Sequence, residues 1–94
     1  GSALMGSYFG ILETAEGWLV ERGLPEAAAR SYMAGLFANL GRVAEGSSKD
    51  FAALREEYST RGGLNEQVFR VFGEDGGVEA LRSALDQVLV RVKG

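Results

Sequence analysis

Val78, Leu81, Leu85, Val88, Leu89 and Val92 recur at the three- and four-residue spacing that lines one face of an α-helix. The same period returns along the rest of the chain, and the alternation of a strand is nowhere sustained. A chain patterned this way buries its apolar side chains by packing helix on helix. The spacing predicts an all-α fold of about five helices and no sheet, over residues 5–22, 25–45, 50–58, 65–72 and 78–92.

The breaks between these segments are chemically explicit. Gly23 suits the position just after the first helix, and Pro25 the first turn of the second. Glu26 then stands at the positive end of that helix's dipole. Gly46-Ser47-Ser48 closes the second helix, and residues 73–77 read as a loop before the last. Phe51, Leu54 and Tyr58 form the apolar side of the third helix, and Val68, Phe69 and Phe72 point inward from the fourth. Gly6, Gly10, Thr14 and Gly17 fall on one stripe of the first helix. Each interior glycine costs up to about 1 kcal/mol against alanine, so this stripe is expected to admit another backbone at close range.

At 94 residues the chain is one small domain, a size at which a single core is marginal and is often completed by a partner. The net charge of −3 and the scattering of the ten basic residues argue against a nucleic-acid footprint. With neither Cys nor His, the chain has no disulfide framework, no thiolate, and neither the commonest general base nor the commonest metal ligand. No catalytic or metal-binding set emerges. No apolar run approaches the ~20 residues of a membrane span, and no signal peptide is evident. A cytoplasmic protein is the expectation. Among the carboxylates, Glu13 stands out because it follows Ile11 and Leu12; its plainer reading is an exposed side chain paired with a nearby Arg. Trp18, Tyr8 and Phe9 read as packing residues or as a pocket wall.

Chemistry concentrates in Ser59-Thr60-Arg61-Gly62-Gly63-Leu64-Asn65. Paired glycines allow backbone N–H groups to converge, and Asn65 is a good N-cap for the helix that follows. Backbone donors at a helix N-terminus form a seat for a small anion such as a carboxylate. A plain helix connector explains the same glycines.

Three groups of residues together resemble the C-terminal helical domain of pyrroline-5-carboxylate reductase. Leu12-Glu13, nine residues, then Gly23-Leu24-Pro25 matches the family's hydrophobic-Glu pair and Gly-Leu-Pro. Leu54-Arg55 followed by Ser59-Thr60-Arg61-Gly62-Gly63 is similar to its Leu-Arg and Ser/Thr-Ser-Pro-Gly-Gly. Gly76-Gly77-Val78 and Val90-Arg91 fit its last helix. The resemblance covers nearly the whole chain.

The resemblance implies a fold like the helical C-terminal domain of 6-phosphogluconate dehydrogenase, with residues 1–94 forming one dimerisation and substrate-side domain. It implies a separate N-terminal Rossmann domain binding NAD(P)H, an intertwined homodimer that can assemble further, and reduction of a cyclic imine to proline. The substrate carboxylate would meet the Thr60 hydroxyl and the N–H groups of Gly62, Gly63 and Leu64. The family's next residue, a Thr near the imine nitrogen, is Asn65 here, and its Pro is Arg61. Its Ser-Gly-Pro-Ala-Tyr lead-in reads Ala3-Leu4-Met5-Gly6-Ser7. These departures mark a divergent relative, in which Arg61 either meets an additional acidic group or faces solvent. The segment lacks a Gly-x-Gly-x-x-Gly fingerprint, so by itself it is expected to be catalytically silent. A freestanding helical interaction module without catalysis accounts for the glycine-striped helices equally well.

Overall fold

The computed structural model describes residues 2–94. A short 3-10 turn, Ser2–Leu4, leads into five α-helices: α1 (Met5–Glu21), α2 (Glu26–Gly46), α3 (Phe51–Glu57), α4 (Leu64–Glu74) and α5 (Gly77–Lys93). The described residues contain no strand. No helix is long and apolar enough to cross a membrane. The helices fall into two compact units, the first ending at Ser47 and the second beginning at Ser48.

In the first unit, α1 ends in a Schellman motif. Gly23 adopts φ +104°. Its N–H donates to the Val20 carbonyl, and the Leu24 N–H donates back to Leu19. Both bonds satisfy carbonyls that the helix end would leave open, and the left-handed backbone is why glycine stands there. Pro25 is the N-cap of α2 rather than a residue of its first turn, one position earlier than the sequence predicts. It has no N–H to lose, and its carbonyl accepts from Ala29 at 2.9 Å. α1 and α2 pack as a pair. Tyr8 links them, its ring edge-on to Phe37 at 6.0 Å and to Phe9 at 5.0 Å. Ala29 (0% exposed) and Met33 (7%) are the buried residues.

The glycine stripe of α1 meets no close neighbour among the described residues. A Cβ built at Gly6, Gly10 or Gly17 finds nothing within 4 Å. The close approach expected from the sequence is therefore not made among the described residues. Thr14, on the same stripe, donates its hydroxyl to the Gly10 carbonyl at 2.8 Å.

In the second unit, Asp50 caps α3 by accepting from the Ala53 N–H at 2.8 Å. Lys49 and Glu57 pair across the same short helix. α4 starts one residue before the predicted segment and ends two after it, taking Gly73 and Glu74 out of the expected loop. Arg70 explains the extension: it pairs with Glu66 at 3.2 Å and with Glu74 at 3.7 Å, one turn away on either side. α4 and α5 pack together, with the Phe72 ring against the backbone at Gly77. Yet no residue of this unit is buried. Phe51, Tyr58, Val68, Phe69 and Phe72, read from the sequence as apolar-side or inward residues, are all exposed, as is every residue of α5 from Glu79 onward. Helical period reveals which side chains share a face; within this unit that face stays uncovered.

Asp50→Ala removes the α3 cap and is expected to lower stability by about 1 kcal/mol. A reduced urea midpoint at fixed protein concentration checks it; an unchanged midpoint contradicts the capping role.

Candidate functional site

The candidate site is the turn from α3 into α4. Tyr58 ends α3, its N–H donating to Leu54 at 3.1 Å, and the Ser59 N–H donates to Glu56 at 3.2 Å. The chain then reverses over Thr60-Arg61-Gly62-Gly63, closed by a 2.7 Å bond from the Gly63 N–H to the Thr60 carbonyl. Gly62 has φ +77° and no described non-glycine residue has a positive φ, so Arg61 and Gly62 take the signs of a type II turn. That turn needs φ > 0 at its third residue and favours proline at its second. Gly62 meets the first requirement, and Arg61 occupies the position at which proline is preferred.

Gly63 follows in extended conformation, φ −85° and ψ 173°, and is the N-cap of α4. This corrects the expectation that Asn65 caps the helix. With Gly62 turning the chain one residue earlier, α4 begins at Leu64 and Asn65 lies second within it, its side chain making no cap bond. A Cβ on Gly63 would lie 2.9 Å from the Thr60 oxygen, so close packing of the turn excludes a larger residue.

Contiguity brings the six sequence-predicted residues together: Thr60, Arg61, Gly62, Gly63, Leu64 and Asn65. Their donors are not equivalent. The Gly63 N–H is committed to Thr60. The N–H groups of Leu64, Asn65 and Glu66 precede the first helical bond of α4, from Gln67 to Gly63 at 3.1 Å, and have no partner among the described residues. Glu66 was not singled out from the sequence; an acid at the third helical position was the available signal. It partly offsets the positive helix end and is tied to Arg70. Arg61 is exposed and makes no ion pair among the described residues. The local balance is thus open backbone donors plus one guanidinium. Such an arrangement can hold and orient an anion.

A second concavity lies in the first unit. A groove of about 430 Å³ between α1 and α2 is lined by residues including Tyr8, Phe9, Leu12, Glu13, Glu16 and Arg30. Glu13 is exposed and makes no ion pair among the described residues, so the expected pairing with an Arg is not formed there. Trp18 is outside this groove, with the Arg22 guanidinium 4.7 Å from its ring centroid. Sequence reasoning missed Arg30; its place three residues before Met33, on one side of α2, was the available signal. No group of His, Cys, Asp or Glu among the described residues could hold a metal ion.

Gly63→Ala forces its Cβ against the Thr60 oxygen and is expected to cost about 1–3 kcal/mol as the turn opens. Urea unfolding measures this, and wild-type stability would contradict the turn geometry.

A family model for pyrroline-5-carboxylate reductase dimerisation matches residues 2–94. No curated protein sequence and no solved structure matches the chain. The matched span takes in both helical units and the turn between α3 and α4. Among the described residues, five α-helices without a strand, and their exposed apolar faces, agree with that match. The chain belongs to the pyrroline-5-carboxylate reductase dimerisation family.

Proposed function

We propose that this chain is the dimerisation and substrate-side domain of an NAD(P)H-dependent imine reductase resembling pyrroline-5-carboxylate reductase. The observation that carries the reading is the family match over residues 2–94. The exposed apolar faces of α1, α4 and α5 support the dimerisation half of it. The second copy that covers them makes a homodimer, with higher assembly open to the same surfaces.

The substrate half rests on the turn. A cyclic imine bearing a carboxylate would place that group at the start of α4, with the Thr60 hydroxyl and the N–H groups of Gly62 and Leu64 as donors. Gly63 contributes the turn rather than a donor, because its N–H is already bonded. Asn65, in the first turn of α4, would take the part of the family's Thr near the imine nitrogen. Arg61 replaces the family's proline with a cation that suits an additional acidic group on the substrate. The chain's part is binding and orientation. A nicotinamide nucleotide supplies hydride when bound. The described residues contain no strand–glycine turn–helix unit to seat it, so another part of the protein would hold it.

In the full-length protein, Thr60→Ala removes one charge-assisted hydrogen bond. It is expected to raise KM about tenfold for a carboxylate-bearing cyclic imine and to leave a carboxylate-free cyclic imine unchanged. Equal losses on both substrates would contradict the seat. Asn65→Thr is expected to raise kcat/KM for pyrroline-5-carboxylate, and no gain counts against the role given to that position. The isolated segment is expected to show no turnover. Light scattering at micromolar concentration is expected to report a dimer, and a stable folded monomer would contradict the dimerisation reading.

A further inference from the structure

We infer that Arg70 is a positioning residue for the seat at the start of α4. It holds the Glu66 carboxylate off the open N–H groups and so keeps them free for a substrate carboxylate. The inference rests on the substrate-side reading of the turn and names the residues that regulate its occupancy.

The chain places an acid where it competes with the ligand. Leu64, Asn65 and Glu66 open α4, and their N–H groups have no partner among the described residues. A glutamate at the third helical position is the residue that, in a capping box, reaches back to the N–H of the N-cap. Here that donor is spent, because the Gly63 N–H is bonded to the Thr60 carbonyl at 2.7 Å. A released Glu66 would turn to the donors that remain, and these are the ones a substrate carboxylate needs. Being tethered to the same helix, it competes at the high effective concentration of an intramolecular ligand.

The ion pairs of α4 turn Glu66 the other way. Arg70 Nε donates to Glu66 Oε2 at 3.2 Å, one turn along the helix and away from the seat. Glu74, a further turn on, approaches the same guanidinium at 3.7 Å and braces it from the far side. An exposed pair at this spacing adds little to stability. Its consequence lies in where it puts the negative charge.

Breaking this pair from its two ends has opposite results. Arg70→Gln releases the Glu66 carboxylate toward the seat, whereas Glu66→Gln removes the competing charge altogether. A pair that served only to support the helix would give the same sign from both ends. The test is run in the full-length protein, on the ratio of KM for pyrroline-5-carboxylate to KM for the cyclic imine lacking the carboxylate. Arg70→Gln is expected to raise that ratio about two- to fivefold and Glu66→Gln to lower it about as much, the effect of one charge at a helix N-terminus. With Glu66→Gln already present, adding Arg70→Gln is expected to change nothing further, since no carboxylate is left to hold. Arg70→Lys keeps the pair and is expected to stay near the wild-type ratio.

Shifts in the same direction from both ends, or a double variant whose effects simply add, overturn the inference. If Arg70→Gln does not fold, the milder Glu66→Gln decides alone, and a ratio that is unchanged or raised overturns it. Thr60→Ala separates this failure from failure of the seat. A ratio raised by Thr60→Ala leaves the seat standing when the Arg70 and Glu66 variants disagree with the expectation. A ratio unmoved by Thr60→Ala, or a wild-type protein that reduces neither imine, overturns both.

Discussion

The structure depends on an imbalance between apolar surface and cover. The five helices carry clear apolar faces, yet among the described residues Ala29 and Met33 are the buried apolar side chains. The unit from Ser48 has none. Leaving such faces in water forgoes the dominant favourable term of folding, roughly 1.5–3 kcal/mol for each large apolar side chain that could be buried. The local bonds that remain, such as the Asp50 cap and the Arg70 pairs, are each worth about 1 kcal/mol or less. They set where helices begin and end, and they do not replace a core.

Association follows from that imbalance. The family's dimerisation role gives the uncovered faces their use, and the empty space beside Gly6, Gly10 and Gly17 fits it. The close backbone approach that such a stripe permits is not made among the described residues. A second copy can make it, with glycine admitting the partner near the helix axis.

The sequence made the helices legible, and less of their ends. Gly23 gives its Schellman position because a left-handed residue after a helix is nearly a glycine signature. The start of α4 departs from the expectation, since Asn65 is a better cap by residue type than Gly63, which takes that place. The decisive fact was the φ of Gly62, which moves the helix start forward and is visible only in the backbone. Gly73 and Glu74 read as loop, and a pair of ion pairs around Arg70 made them helix. At the candidate site, contiguity made the six residues legible as a group. It did not reveal that the Gly63 N–H would be committed within the turn. Periodicity likewise identified the faces of α4 and α5 without saying whose surface they cover.

If a second copy completes this fold, folding and association are linked. Urea unfolding of residues 2–94, followed by far-UV circular dichroism over a hundredfold range of protein concentration, tests it most directly. The account predicts a midpoint that rises with concentration, as mass action requires of a dimer that unfolds to monomers. A cooperative transition whose midpoint is independent of concentration would contradict it.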